Sequence, residues 1–221
     1  MTRSQETERV VQHFDSAEQA ASYGDEFNSK RHQRTRNVIV DALAAVPAGA
    51  RVLDLPCGTG RLLPLLMEKG FQYVGADSSE HMVEATRKKL AAHSANTDAA
   101  NDAELHVQDV TAMSFADDSF DAAVVNRLFH HFTQRATRVA ALTELRRVTN
   151  GPVFVFFLNA WTWRGMAFRA RHLIGEPATR WPITVREFRE NGKAAGLKLT
   201  QTWATRGRYA KEWYARFDRC P

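Results

Sequence analysis

The amino-acid sequence predicts an α/β protein whose doubly wound, mostly parallel β-sheet carries helices on both faces. Short apolar runs such as residues 51–55 and 153–158 alternate with segments in which apolar residues recur at helical spacing. Continuously apolar strands are typical of parallel sheets that are buried on both faces. The turn Arg206-Gly207-Arg208 separates the last two strand-like runs, which predicts that the sheet ends in an antiparallel hairpin.

The individual elements follow from periodicity and from turn-forming residues. One-sided apolar patterns predict helices at residues 30–46, 61–69, 80–92, 135–148 and 184–195. Apolar runs predict strands at residues 51–55, 73–76, 105–108, 120–125, 153–158, 197–204 and 209–217. Pro47 and Gly70 are typical of residues that end a helix. Residues 93–102 are interpreted as a polar loop, and the aromatic, basic segment 161–182 is interpreted as irregular.

Composition and length indicate a single globular domain. Hydrophobic residues make up 44% and charged residues 25% of the 221 residues, which excludes a disordered chain and supports a full core. The two cysteines, Cys57 and Cys220, exclude a disulfide scaffold and favour a reducing compartment, so we expect a cytoplasmic protein. The N-terminal residues are too polar for a signal peptide, and no apolar run approaches the roughly 20 residues of a membrane span.

The excess positive charge lies towards the C-terminal end of the chain. Residues 161–221 carry 13 basic and 5 acidic side chains, whereas the whole chain has a formal charge of +5. A basic field attracts an anionic substrate, a nucleic acid or an anionic membrane surface, and it also occurs as a plain solubilising surface. Several aromatic and basic residues of this region could bind a substrate, or could be ordinary core and surface residues. They are Trp161, Trp163, Trp181, Arg164, Arg169, Arg171, Arg206 and Arg208.

Polar residues stand at the carboxyl ends of the first four predicted strands. They are Asp54, Asp77, Asp109 and Asn126. Doubly wound sheets bind ligands at the carboxyl ends of their strands, near the point where the strand order reverses. A buried scaffold has no need of polar residues at four equivalent positions, so we expect these residues to form one ligand site. The alternative for each aspartate is a helix cap or a turn.

The loop at residues 54–60, DLPCGTG, carries the chemistry of this site. Gly58 and Gly60 allow positive φ and the close approach of a ligand, and the following helix directs backbone N–H groups at the same space. A dinucleotide-binding loop has a third glycine where Leu63 stands. Asp54 would also repel a pyrophosphate, so a nicotinamide-dependent oxidoreductase is disfavoured. The Asp54 carboxylate instead suits an ammonium group, as in the amino-acid part of a zwitterionic ligand.

The two following strand ends extend this prediction. The Asp77 carboxylate is placed to accept hydrogen bonds from ribose hydroxyl groups. Asp109 is placed to accept a hydrogen bond from an exocyclic amine such as that of adenine. An amino acid, a ribose and an adenine, in this order, describe S-adenosylmethionine.

Four segments resemble the class I S-adenosylmethionine-dependent methyltransferases of the small-molecule type. They are VLDLPCGTGR at 52–61, VGADSSEHMVEAT at 74–86, VQDVTAMSFADDSFDAAVVNRLFHHF at 107–132 and ELRRV at 144–148. The segments occur in the family order, and the resemblance covers residues 38–160. It implies a Rossmann-like, seven-stranded sheet and S-adenosylmethionine as the cofactor.

The resemblance also implies roles for individual residues. Those that match the positions around the methionine part of the cofactor are Asp54, Pro56, Gly58, Gly60, Asn126 and Arg127. Those that match the positions around the ribose and the adenine are Asp77, Ser78, Met82, Asp109 and Val110. Tyr23 matches an aromatic residue that caps the cofactor. Pro56 departs from the family pattern, which has glycine at this position. The departure matters because proline fixes φ and lacks an N–H donor.

Two adjacent histidines, His130 and His131, are the candidates for a general base. Imidazole titrates near neutral pH, and adjacent residues of a helix point about 100° apart, so only one of them is expected to face the acceptor. Packing without a catalytic role is the alternative. Cys57 is interpreted as a small structural residue, and no metal is expected because the histidines lack a spaced cluster of carboxylates or cysteines.

The sequence therefore predicts methyl transfer from S-adenosylmethionine to an O, N or C nucleophile of a small-molecule acceptor, with anionic acceptors among the candidates. The alternatives are an RNA methyltransferase that uses the basic C-terminal region, and a catalytically inactive, cofactor-binding regulatory protein. We expect one domain over residues 1–221. Its expected parts are a helical cap at 1–46, a cofactor-binding core at 50–160, a substrate-covering insertion at 161–182, and a helix with a β-hairpin at 183–221.

Overall fold

The computed structural model of the protein describes residues 6, 8, 30–94, 103–173, 180–205 and 210–220. The strands are β1 (Arg51–Asp54), β2 (Gln72–Asp77), β3 (Glu104–Val107), β4 (Ala122–Val125), β5 (Val153–Leu158), β6 (Leu197–Ala204) and β7 (Glu212–Arg219). The helices are α1 (Lys30–Leu43), α2 (Leu63–Glu68), α3 (Glu80–Ser94), α4 (Arg135–Val148), α5 (Trp163–Leu173) and α6 (Val185–Ala194). None of the helices in these ranges is both long enough and apolar enough to cross a membrane.

All seven strands belong to one sheet with the order β3-β2-β1-β4-β5-β7-β6. The pairs β1–β2, β1–β4, β2–β3 and β4–β5 are parallel. Strand β7 runs antiparallel to both β5 and β6. The predicted doubly wound sheet with an antiparallel C-terminal hairpin is therefore confirmed. Its strand order reverses between β1 and β4, which is where sheets of this kind bind ligands.

The central strands form where the sequence is continuously apolar. All four residues of β4 and all six residues of β5 are buried. Because side chains alternate along a strand, the buried residues fall into two clusters on opposite faces of the sheet. Leu53 belongs to the cluster that includes Leu142 of α4, whereas Val52 belongs to the cluster that includes Leu66 of α2. Helices thus cover both faces, as the apolar pattern predicts.

The boundaries of several elements differ from the prediction by a few residues. Helix α1 ends at Leu43 rather than at residue 46. Helix α2 begins at Leu63 rather than at residue 61, with a proline in its first turn, where a missing N–H costs least. Helix α3 continues to Ser94, into the segment interpreted as a polar loop. Gly70 follows α2 with a φ of 76°, which confirms its predicted place at a helix end.

The interpretation of residues 161–182 as irregular is wrong for helix α5. The Thr162 hydroxyl oxygen accepts a hydrogen bond from the Gly165 N–H at 3.1 Å, which caps the start of this helix. Met166, Ala167 and Arg169 follow, and all three residue types favour helices. The aromatic and basic composition of the segment concealed this pattern.

The described part of the N-terminal region contacts the start of α4. Glu6 is buried, and its Oε1 accepts hydrogen bonds from the backbone N–H groups of Thr133 and Gln134 at 2.6 and 3.2 Å. A carboxylate is stabilised at a helix N-terminus because the helix dipole is positive there. This contact places Glu6 close in the chain to the short 3₁₀ turn Phe129–His131, which follows β4.

Candidate active site

Three polar side chains come together at the carboxyl edge of the sheet, around the point where the strand order reverses. Asp54 ends β1, Asp77 ends β2, and Asn126 directly follows β4. All three are buried. Strand alternation directs them to the same face of the sheet, the face that α1 and α2 cover. The structure thus brings together the predicted polar residues of these three strand ends.

Residues 55–60 form a bend that is tied to the end of β2. Gly58 and Gly60 have φ values of 56° and 70°, which residues with side chains rarely adopt. The Gly58 N–H donates to Asp77 Oδ2 at 2.9 Å, and the Thr86 hydroxyl group donates to the Gly58 carbonyl oxygen at 2.7 Å. Apart from Gly58 and its two chain neighbours, no described residue has an atom within 4 Å of the place where a Cβ of Gly58 would stand. A ligand therefore has room to approach this backbone.

Pro56 and Cys57 form the first half of the bend. The Leu55–Pro56 peptide bond is cis. The Cys57 N–H donates to the Ala76 carbonyl oxygen at 2.8 Å, which ties the bend to β2 a second time. Burial raises the pKa of the Cys57 thiol, and a buried, protonated thiol is a poor nucleophile. This environment agrees with the interpretation of Cys57 as a structural residue.

Asp77 orders the turn after β2 as well as the glycine bend. Its Oδ1 accepts a hydrogen bond from the Ser79 N–H at 3.0 Å, while its Oδ2 accepts the bond from Gly58. Each carboxylate oxygen can accept more than one hydrogen bond, so these contacts are compatible with ribose binding. Ser78 is half-buried in the same turn, and Met82 is buried in the first turns of α3.

Asp109 lies beyond the end of β3, in a turn that its own side chain stabilises. Its Oδ1 accepts hydrogen bonds from the backbone N–H and the hydroxyl group of Thr111, at 2.8 and 2.7 Å. The neighbouring Val110 is buried. Asp109 Oδ1 therefore stabilises a turn, which was the alternative interpretation of this residue. The contact of Asp109 with an adenine stays a prediction.

Asp54 has a buried partner that the sequence analysis missed. The Tyr73 hydroxyl group donates to Asp54 Oδ2 at 3.1 Å. Burial raises the pKa of Asp54 to about 8, the hydrogen bond from Tyr73 lowers it, and the nearby Asp77 raises it. Gly75, two residues beyond Tyr73 in β2, was the available signal, because a glycine within a buried strand marks close approach of another group.

The far side of the site is lined by residues around the end of β4. The Tyr214 hydroxyl group, from β7, donates to Asn126 Oδ1 at 2.8 Å, and both side chains are buried. Burial raises the pKa of Tyr214 well above its usual range. Arg127 has a φ of 58°, in the left-handed region that is unusual for a residue with a side chain. Tyr214 is a second functional candidate that the sequence analysis missed.

The two histidine rings lie side by side, and the expectation that only one of them faces the acceptor stays a prediction. The ring centroids of His130 and His131 are 4.1 Å apart in the 3₁₀ turn. His130 is 5% exposed, and its Nδ1 makes no hydrogen bond to the described residues. Burial lowers the pKa of His130, and the positive groups of His131, Arg180, Arg127 and Lys211 lower it further. The His130 imidazole is therefore neutral at neutral pH.

Known proteins with similar sequences include methyltransferases. A sequence model of a methyltransferase domain matches residues 52–151. The chain is 32% identical to tRNA (carboxymethyluridine(34)-5-O)-methyltransferase of Xenopus tropicalis over 122 residues, which are 55% of this chain and 17% of that protein. It is 27% identical to the demethylmenaquinone methyltransferase of Thermotoga maritima over 175 residues, which are 70% of this chain and 68% of that protein.

The fold agrees with this similarity. Magnesium protoporphyrin IX methyltransferase from Synechocystis, solved with bound S-adenosylhomocysteine, matches with a TM-score of 0.76 and 20% identity, over 97% of this chain and 100% of that one. The matching domain model and these structural neighbours support a class I S-adenosylmethionine-dependent methyltransferase. The resemblance in the sequence is confirmed, and the cofactor of this family is S-adenosylmethionine. The chain spans only 16–17% of the length of the tRNA methyltransferases that it matches.

The site fits S-adenosylmethionine in two respects. The open space beside Gly58 admits a ligand against the bend, where a larger residue would fill it. Asp54 Oδ1 is buried without a hydrogen-bond partner among the described residues, and an ammonium group would supply one. A buried polar atom without a hydrogen-bond partner lowers the stability of a protein. Its presence at the predicted ligand position therefore indicates that a ligand supplies the missing hydrogen bond.

The remaining predicted site residues differ in how exposed they are and in what they contact. Trp161 and Trp163 are 73% and 82% exposed. Trp181 is half-buried with the Arg169 guanidinium 5.4 Å from its ring centroid, and Arg169 also pairs with Glu187 at 2.7 Å. Outside the described residues or side chains are Tyr23, Arg164, Arg171, Arg206 and Arg208. Across the described ranges, no three His, Cys, Asp or Glu side chains are grouped to hold a metal ion.

Proposed function

We propose that the protein transfers the methyl group of S-adenosylmethionine to an O, N or C nucleophile of a small-molecule acceptor that carries an anionic group. The observation that carries this proposal is the convergence of Asp54, Asp77 and the Gly58 bend at the point where the strand order reverses. When bound, the cofactor supplies a sulfonium with an activated methyl group. The protein then has to bind, orient and align the two reactants, which contributes up to roughly 7–11 kcal/mol to catalysis.

The cofactor roles follow the chemistry of each strand end. In this proposal Asp54 accepts from the ammonium group, Asp77 from the ribose hydroxyl groups and Asp109 from the adenine amine. The other residues proposed to surround the cofactor are Pro56, Gly58, Gly60, Ser78, Met82, Val110, Asn126, Arg127 and Tyr23. Burial of Met82 and Val110 supports an apolar contact with the adenine ring.

The surroundings of His130 support an anionic acceptor. The Trp181 N–H donates to the His130 carbonyl oxygen at 2.6 Å, which brings the chain around Arg180 next to the histidine turn. Arg127 and Lys211 add positive charge to the same neighbourhood. A carboxylate or a phosphate is the acceptor group that such a set of charges favours.

The segments outside the sheet are proposed to cover the acceptor. Glu6 accepts a hydrogen bond from the Thr133 N–H, two residues beyond His131, and this contact supports a cap at residues 1–46. Residues 161–182 follow β5, and Trp161 and Trp163 expose large aromatic surfaces there, which suits contact with an acceptor. The two free cysteines, Cys57 and Cys220, support a cytoplasmic location.

His130 is the proposed general base, to be used where the acceptor atom carries a proton at neutral pH. Its lowered pKa supports this role, because a base must be unprotonated before it accepts a proton. His131 is only half-buried and is proposed to support the neighbouring ring. An acceptor that is already ionised, such as a carboxylate, needs no base.

Methylation of RNA is a second candidate function. It is favoured by the similarity to the tRNA methyltransferase of Xenopus tropicalis and by the excess of basic residues in 161–221. RNA binding through such residues would weaken steeply as the salt concentration rises.

Labelled methyl transfer distinguishes the candidates. The protein is incubated with methyl-labelled S-adenosylmethionine and either a small-molecule extract or total RNA from the same cells, with Asp77→Ala as the control. The expected result is label in a low-mass product that separates chromatographically from S-adenosylmethionine and is absent from the control. Label in RNA that ribonuclease removes would favour the second candidate. Cofactor binding without label in either fraction would overturn both and favour a regulatory protein.

A further inference from the structure

One buried side chain beside the cofactor site has no role in the function proposed above. Tyr73 of β2 and Asp54 of β1 are each 1% exposed. The Tyr73 hydroxyl group donates to Asp54 Oδ2 at 3.1 Å, while Asp54 Oδ1 has no hydrogen-bond partner among the described residues. The carboxyl group is therefore held at one oxygen, and the other oxygen is left for a ligand.

The strand register explains how Tyr73 reaches Asp54. Strands β1 and β2 are parallel, with Val52 opposite Tyr73 and Asp54 opposite Gly75. The tyrosine ring extends forward over Gly75, where an added Cβ would lie 2.7 Å from the hydroxyl oxygen. A phenylalanine would fill the same space, so packing alone does not account for the hydroxyl group.

Apart from the hydrogen bond from Tyr73, the surroundings of Asp54 oppose its ionisation in the cofactor-free protein. The neighbouring Asp77 raises the pKa of Asp54, in addition to the larger effect of burial. Cys57 and Tyr214 also face this carboxyl group, and burial raises the pKa of both, so neither is charged at neutral pH. Asp54 is therefore mostly protonated at neutral pH before the cofactor binds.

We propose that Tyr73 is a positioning residue for the cofactor: it holds Asp54 so that Oδ1 receives the ammonium group, and Asp54 releases its proton as the cofactor binds. This inference rests on the proposed function, because it takes the ligand of Asp54 to be the amino-acid part of S-adenosylmethionine. The proton passes from the carboxyl group to the solvent. The ammonium group keeps its protons and donates to Oδ1, and the Tyr73 hydroxyl group keeps its proton and its bond to Oδ2, which strengthens once the carboxylate is charged.

Cofactor affinity then depends on pH in a way that Tyr73 controls. Below the pKa of Asp54, each rise of one pH unit increases the affinity by up to about tenfold, because less work is needed to remove the proton. Above that pKa the increase stops. Loss of the Tyr73 hydroxyl group removes a hydrogen bond that lowers the pKa of Asp54. In Tyr73→Phe the cofactor affinity therefore continues to increase up to a higher pH than in the wild type.

Proton release is measured directly by calorimetric titration with S-adenosylhomocysteine in two buffers that differ in ionisation enthalpy. The proteins are the wild type, Tyr73→Phe and Asp54→Asn. Asp54→Asn has no carboxyl group at this position, so the protons that it releases come from the ligand, and their number is subtracted from the number measured for the other two proteins. We expect the wild type to release close to one proton at about pH 6.5 and about half a proton at about pH 8. Tyr73→Phe should release close to one proton at both pH values, with about tenfold weaker binding.

The outcomes separate this inference from the proposed function. A wild type that binds no S-adenosylhomocysteine overturns the proposed function itself. A wild type that binds it without proton release, or a Tyr73→Phe variant with the wild-type affinity and proton count at pH 8, overturns the role of Tyr73 alone. The thermal unfolding midpoint of cofactor-free Tyr73→Phe provides the control, because a role in packing alone would change that midpoint and leave the proton count as in the wild type.

Discussion

The buried carboxyl group of Asp54 makes the stability of the cofactor-free protein depend on pH. Burial raises its pKa to about 8, compared with about 3.9 in an unfolded chain. Between these two values the folded state binds more protons than the unfolded state, so the free energy of unfolding decreases as the pH rises. One pKa unit corresponds to about 1.4 kcal/mol, so ionisation of the unfolded chain between pH 4 and pH 7 lowers the stability by up to about 4 kcal/mol.

Asp54→Asn removes this titration and keeps an oxygen that accepts from Tyr73. From pH 5 to pH 8 we expect the stability of the variant to gain roughly 2–4 kcal/mol relative to the wild type, because relaxation around the buried group reduces the ideal value. Urea unfolding at several pH values, followed by circular dichroism, measures the difference. Asp41→Asn, at an exposed position of α1, is the matched control and should follow the wild type. The same pH dependence in Asp54→Asn and in the wild type would refute the reasoning.

Three further substitutions test contacts around the site. Gly75→Ala places a Cβ 2.7 Å from the Tyr73 hydroxyl oxygen and should lower the free energy of unfolding by about 1–3 kcal/mol; an unchanged thermal midpoint would contradict this. Tyr214→Phe breaks the 2.8 Å bond to Asn126 and should cost about 1 kcal/mol in urea unfolding, whereas a wild-type midpoint would show that this bond contributes nothing. His130→Gln should lower kcat about 100-fold on a protonated acceptor without changing the Kd of the cofactor, and an unchanged kcat would exclude the proposed base.

The sheet was predictable because burial on both faces leaves a direct trace in the sequence. Strand β5 and helix α4 begin and end at the predicted residues, since a continuous apolar run and a clear helical period have few alternatives. Helix α5 was missed because its start depends on the Thr162 cap, and exposed tryptophans mask the period. Residue type and spacing therefore predict the buried elements better than the peripheral ones.

The sequence predicted which residues stand at the strand ends of the candidate cofactor site, but not the hydrogen bonds that these residues make. The positions of Asp54 and Asp77 follow from the alternation of strands and helices, because parallel strands present their carboxyl ends at one edge. The bond from Tyr73 to Asp54 depends on the register between two strands, which is not encoded in either strand alone. The same holds for Tyr214 and Asn126, which are 88 residues apart in the chain.

Binding of the cofactor at the strand-end aspartates can be tested most directly by titrating S-adenosylhomocysteine into three proteins. These are the wild type, Asp77→Ala and the control Glu84→Ala, whose carboxylate is exposed on α3 and pairs with Arg87. Asp77→Ala removes acceptors for the ribose and the bond that holds Gly58, so we expect its affinity to fall by about 100-fold while the control keeps the wild-type value. Equal affinities in the three proteins would contradict a cofactor site at these strand ends.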